Sequence, residues 1–451
     1  MAARQMAPAR VAAWGGMHRC AGCALTLALG LALGTLSAAP AAHAQQLQSQ
    51  LLNQDIPPDY SQGRNISVLE RPHPEYDALG VPEGGFTIYP SISTGFGYSD
   101  NIFGTRDNKV GDEYFAIAPQ VSVNSNWSRN AVSATVGADL REFVSHSSEN
   151  EQGWHVALNG KYEIDNTDYL EAGFTSHKLY EEQDSGYYPT GAAAPLGYVD
   201  TGAFLRANHQ TGRIHLILAG DYHTYNYDSV LAVGGGQLAQ NFNNHDTWRV
   251  TGRGEYNLTP DTALFTEISH ADNTYTHTTL GQDLSGTENR YLAGANFDLT
   301  ALIRGTVGLG YIQRDYDNPA FHAVSGLATD VKLEYFPTTL MTVTGSVKRE
   351  VDDSVDFNVG GFLNTQSQLR VDYELLRNLL LNAEVTYEDD NFHGVSRDDH
   401  ILTYGAGAHY NFSRNIGVEA YGSYTDRSSF GQVLGPVFSE TKFILTLYFK
   451  V

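Results

Sequence analysis

The sequence predicts an all-β protein, a transmembrane antiparallel up-and-down β-barrel of about 18 strands, with about 16 as the runner-up count. Two features carry that prediction. Apolar residues recur with period two from Phe86 to the end of the chain, and the connections between these runs alternate between short and long. A third feature narrows the class. Past the extreme N-terminus no apolar run approaches the ~20 residues that a spanning helix needs, and the mean hydropathy of −0.31 is too polar for a helical membrane bundle.

Residues 1–44 read as a cleavable signal peptide. Arg4, Arg10 and Arg19 form a basic start without an acid. An apolar stretch from about Ala21 to Ala39 follows, and Ala42-His43-Ala44 gives an A-x-A cleavage pattern that leaves Gln45 first. Cys20 and Cys23 fall inside that segment, so their C-x-x-C spacing leaves with it and the mature chain carries no thiol. Loss of the three arginines takes the formal charge from −23 to −26. So acidic a chain lacks the basic surface that nucleic-acid binding requires.

Residues 45–85 lack strand alternation and carry Pro57, Pro58, Pro72, Pro74 and Pro82. They read as a periplasmic N-terminal arm, extended or partly disordered, with Gln46 to Leu52 as a possible helical turn.

The barrel is predicted over 86–451. Phe86, Ile88, Pro90, Ile92, Thr94, Phe96 and Tyr98 share one face of the first run, with Ser91, Ser93, Gly95 and Gly97 on the other. Trp154, Val156, Leu158, Tyr162 and Ile164 alternate in the same way with His155, Asn159, Lys161 and Glu163. Such runs continue to Phe443, Leu445, Leu447 and Phe449. Phase is broken near Leu140–Phe143 and Thr262–Ser269. Short turns are expected near Ser128-Arg129-Asn130, Thr211-Gly212, Pro260-Asp261, Arg377-Asn378 and Ser413-Arg414-Asn415. Between them lie longer polar connections, among them Asp100–Asp112, Asn226–Gln240, Asp389–Asp399 and Asp426–Gly435. Short periplasmic turns and long extracellular loops are the asymmetry of outer-membrane barrels.

Charged residues at inward positions are the candidate lumen lining: Arg141, His155, Lys161, Arg206, Arg249, Arg253, Asp330, Lys332, Glu334, Arg370, Asp372 and Glu384. Arg or Lys on the lipid face costs roughly 2–4 kcal/mol at mid-membrane, which drives them inward. They either line a channel or form a salt-bridged plug. Outward aromatics near strand ends, including Trp127, Trp154, Tyr162, Tyr256 and Tyr335, suit interfacial girdles. No catalytic, cofactor or metal motif stands out. Ser145-His146-Ser147 reads as a solvated loop. The acid pairs Asp352-Asp353, Asp389-Asp390 and Asp398-Asp399 could bridge lipopolysaccharide phosphates through divalent ions but lack calcium-loop spacing. Tyr187 and Tyr188 are loop aromatics with sugar stacking as the alternative.

Tyr89-Pro90-Ser91-Ile92, Tyr98-Ser99-Asp100-Asn101-Ile102, Ser125-Asn126-Trp127-Ser128-Arg129-Asn130 and Tyr410-Asn411-Phe412-Ser413-Arg414-Asn415 resemble segments of the bacterial outer-membrane proteins classed as putative β-barrel porins of the second type. The similarity covers nearly all of Phe86–Val451. It implies a barrel in the outer membrane of a Gram-negative bacterium, often encoded near exopolysaccharide secretion genes, and transfers no catalytic residue. The expected function is a porin-like channel for small polar solutes. An accessory barrel in exopolysaccharide export and an outer-membrane hydrolase are the alternatives. Expected partners are outer-membrane lipid and lipopolysaccharide, small polar solutes or polysaccharide, and the barrel-assembly machinery.

Overall fold

Inside lipid a backbone amide has no water to bond, so a spanning sheet must close on itself. The computed structural model, which describes residues 65–181, 188–189, 191–277, 283–354, 356 and 359–451, shows that closure. Residues 1–44, where a signal peptide is expected, residues 45–64 and Tyr187 lie outside the described residues.

The wall is made of eighteen antiparallel strands. They are β1 (Phe86–Ser99), β2 (Asp112–Ser125), β3 (Ala131–Phe143), β4 (Glu151–Glu163), β5 (Tyr169–Glu181) and β6 (Leu196–Thr211). Next come β7 (Ile214–Tyr227), β8 (His245–Thr259), β9 (Thr262–Tyr275), β10 (Gly286–Thr300), β11 (Ile303–Tyr316) and β12 (Val324–Thr338). The last are β13 (Met341–Asp353), β14 (Gly361–Leu376), β15 (Leu379–Phe392), β16 (Arg397–Asn411), β17 (Ile416–Gly431) and β18 (Phe438–Lys450). Each pairs with its sequence neighbours, and β18 returns to β1 with Ser91 opposite Lys450 and Ser99 opposite Lys442. The first residues of β1 extend past the end of β18. There a short strand, Val81–Glu83, takes over the free edge by pairing with Ile88, Thr87 and Phe86, after a reversal at Gly84, whose φ is +57°.

The turns at one mouth are short: Gly212–Arg213, Pro260–Asp261, Ala301–Leu302, Thr339–Leu340 and Arg377–Asn378 hold two residues each. Gly212 adopts φ +58°, a left-handed conformation that glycine reaches without the Cβ penalty. The other mouth carries the longer connections. Two of those expected from the sequence prove to be largely wall. Asp398 pairs with Asn391 and with Phe430, so the connections reduce to residues 393–396 and 432–437. Apolar alternation ends where both faces of the strand meet water, while the hydrogen-bond ladder runs on.

Outward residues form the apolar belt. Phe96, Phe115, Leu158, Phe174, Leu218, Val250, Leu309, Leu369 and Leu445 are all exposed. Aromatics bound it at both ends, in pairs eight residues apart such as Trp154 with Tyr162 and Trp248 with Tyr256. Eight residues span ~27 Å along a strand, or about 20 Å along the axis at a tilt of ~40°, close to the height of a membrane barrel's apolar band.

The two phase breaks are regular strand. In β9 the inward positions are Ala263, Phe265, Glu267 and Ser269, and Phe265 is an apolar residue facing in. Between β2 and β3 the ladder skips Ala118 and Pro119, where proline has no amide to give.

Because β1 is closed by Ser91–Ser99 against β18, deleting Phe443–Val451 should leave an open edge. The truncated chain is expected to lose the heat-modifiable electrophoretic band of a folded barrel, which the full chain should give after refolding in detergent.

Candidate functional site: the ion-paired lumen

Alternation places every second side chain inside the barrel, where few of the charges stand alone. Arg253 on β8 is the best held. Its Nε donates to Glu255 at 2.8 Å, one terminal nitrogen to Glu267 at 3.3 Å and the other to the Asn296 amide oxygen at 3.1 Å. Its guanidinium carbon also lies 3.8 Å from the centre of the Phe265 ring. Arg206 pairs with Glu171 across β5 and β6 at 3.2 Å. Arg370 bridges Asp372 at 2.9 Å and Glu384 at 3.1 Å, and the Tyr421 hydroxyl donates to Glu384 at 2.7 Å. Arg141 meets Glu151 at 3.3 Å, Lys161 meets Glu163 at 3.3 Å and His155 meets Asp139 at 3.0 Å. Glu334 takes Arg304 at 2.6 Å, and Asp330 faces Arg290 at 3.9 Å. Arg249 sits opposite Asp221 in the β7–β8 register. Lys332 is exposed.

These side chains form local clusters around the wall rather than a single site. Arg290, Arg304 and Arg314 belong to the same lining and show the same inward alternation opposite Tyr291, Leu309 and Tyr311. Arg397 and Arg427 are harder to find in the sequence, because they lie in wall that rises beyond the apolar belt. Both bind Asp399, at 2.6 and 2.8 Å. An inward aromatic row also escapes sequence reading. Tyr198 stacks on Tyr227 (5.1 Å between ring centres), Tyr225 on His245 (4.4 Å) and His245 on Tyr275 (4.7 Å). Sequence distance hides it; only the strand register puts the rings side by side.

The remaining candidates have structural roles. Asp112 accepts from the backbone amides of Ser145 and His146 and pairs with His146 Nδ1 at 2.9 Å, so it shapes the loop after β3. The Tyr188 hydroxyl donates to the Ala194 carbonyl at 3.1 Å, and its ring is buried with Ala192, Leu196 and Val230. The acid pairs split. Asp353 goes to Arg314, Asp390 to Asn364, Asp389 to His400 and Asp398 to Asn391. Among the described residues no group of three His, Cys, Asp or Glu side chains is arranged to hold a metal ion.

At the short-turn mouth the chain ahead of the barrel lies against inward residues. Val68 is buried, and its amide donates to Thr342 Oγ1 at 3.0 Å. Arg71 and His73 both reach Glu374, and Arg414 donates to the Pro74 carbonyl at 2.7 Å. Glu70 meets Arg304 at 2.8 Å. Burial pushes the Glu70 carboxyl up, but the hydrogen bond and charge of Arg304 outweigh it and hold the group below the usual carboxylate range.

The chain matches the family described as "Putative beta-barrel porin 2" over residues 73–450. The chain is a β-barrel of the porin-like class, and it belongs to that family. Among solved structures it is similar to the copper transporter OprC, at 12% identity and a TM-score of 0.45, covering 82% of each chain. Pseudomonas aeruginosa OpdL is similar at 11% identity and a TM-score of 0.43, covering 82% of this chain and 99% of that one. The siderophore receptor PirA from Pseudomonas aeruginosa is similar at 8% identity and a TM-score of 0.42, covering 80% of each. None of the curated proteins matches.

Removing Arg253 takes a shared cation from two buried carboxylates and leaves Glu255 to His215 and Asn296 and Glu267 to Arg290. Arg253→Ala should therefore cost about 1–3 kcal/mol, read from unfolding in urea and detergent. The Glu70 contact gives a pH test. A carboxyl held below its unfolded value of 4.5 contributes its stabilisation fully above that pH and loses it as the pH falls through the lower folded value. Protection factors for amide exchange over 65–80, taken relative to the intrinsic rate at each pH, should thus be high at neutral pH and fall in acid, and Glu70→Gln should flatten that dependence.

Proposed function

We propose that the protein is an outer-membrane channel for small polar solutes, with its short turns in the periplasm and its long connections outside. The observation that supports this best is the contrast between the two faces of one wall. The outside is an unbroken apolar belt, while the inside carries Arg206, Arg253, Arg304, Arg370 and their carboxylate partners. A bundle of such charges is stable only in a water-containing or fully paired interior. The acidic chain favours cations, because a field of one sign concentrates counter-ions at the entrance.

Planar-bilayer recording of the refolded barrel tests this reading. Discrete current steps are expected. In a potassium chloride gradient the reversal potential should move towards the potassium equilibrium potential and away from that of chloride. Absence of current at every voltage from folded protein would overturn the proposal.

A further inference from the structure

The seam between β12 and β13 does not run the full height of the wall. Their last pair towards the long-loop mouth is Thr329 with Arg349, yet β12 continues to pair with β11 up to Val324. In the same way β13 continues to pair with β14, to Asp353 opposite Gly361. Above Arg349 the two strands have therefore separated, and the β13–β14 hairpin leaves the cylinder.

Its contacts show the direction. The Asp353 carboxylate receives Arg314 of β11 at 2.5 Å, the Tyr316 hydroxyl at 2.7 Å and the Tyr275 hydroxyl at 3.1 Å. Tyr275 belongs to β9, four strands away, and Arg314 and Tyr275 both face inward. The hairpin must fold inward over the inner face of β9 to β12 to reach them. Val351 and Leu363 pack with Phe265, Leu292, Ile312, Val324 and Ala328, an apolar cluster on the inner face of β9 to β12. Gly326 makes room for this. A Cβ there would stand 2.9 Å from the Leu363 side chain. Opposite, Phe362 stacks on Phe392 of β15 with ring centres 4.6 Å apart, and Asp356 pairs with Arg397 of β16 at 3.1 Å.

A patch of buried aliphatic side chains is out of place in a lumen meant to hold water. It has a purpose if it seats a movable or narrowing element, because burial of apolar area is what holds such an element in. We propose that the two arms of this hairpin, Glu350–Ser354 and Val359–Asn364, are the constriction that sets the size limit of the channel, with Asp353 and Leu363 as its seat. The inference rests on the channel reading above and adds to it the element that selects by size.

The test uses the full barrel in planar bilayers and in liposomes challenged with sugars of increasing size. Asp353→Asn removes the charge that binds Arg314 with little change of shape. Asp353→Ala combined with Leu363→Ser removes both the polar and the apolar seat. Leu369→Ala, on the lipid face, is the control, and heat-modifiable mobility certifies folding of each. Released hairpins should raise the unitary conductance by about two-fold or more and admit larger sugars, with the control unchanged. Conductance and size limit unchanged in both folded variants would overturn it while leaving the channel reading in place. If the folded parent barrel does not conduct, the channel reading falls and the constriction with it.

Discussion

The structure depends on one requirement, that no backbone amide be left unpaired where the chain meets lipid. It explains why β18 must return to β1, and why Val81–Glu83 covers the part of β1 that β18 does not reach. It also explains why the β12–β13 seam parts only towards the long-loop mouth. A strand edge inside hydrocarbon would cost several kcal/mol per unpaired group. Beyond the belt, water and inward side chains can satisfy the same groups, and the wall is free to split.

A second constraint follows from the first. A closed wall of eighteen strands encloses a wide interior that receives every side chain lipid rejects. Charges in that space stay charged where water or a partner reaches them, and much of the lining falls into clusters such as Arg253 with Glu255 and Glu267. Such clusters fix strand register locally, since each one ties two or three neighbouring strands. The same interior admits elements that are not part of the cylinder. Residues 65–80 enter at one mouth along Arg304, Thr342 and Glu374, and the β13–β14 hairpin enters at the other. Arg304 joins both systems, holding Glu334 in the wall and Glu70 in the rim segment.

Much of the wall was legible because alternation is imposed residue by residue by two solvents. Lipid on one side and an aqueous interior on the other make Trp154, Val156 and Leu158 differ from His155, Lys161 and Glu163 in a way any reader can see. Where that contrast ends, legibility ends. Asp389–Asp399 and Asp426–Gly435 looked like loops because both faces of those strands are polar. Thr262–Ser269 looked irregular because Phe265 turns inward to meet Arg253 and the folded hairpin. Of the inward charges, Arg206, Arg253 and Arg370 announced their direction, but not their partners.

The sequence by itself determined the class of fold, the face taken by most strand residues within the apolar belt and the grouping of the short turns at one mouth, because period two and turn length are local properties. Tertiary structure alone decided which charges meet, where the aromatic row from Tyr198 to Tyr275 forms, and that Asp353 folds inward to Arg314. Those outcomes depend on strand register and on contacts between residues tens of positions apart, and a local pattern holds no record of either.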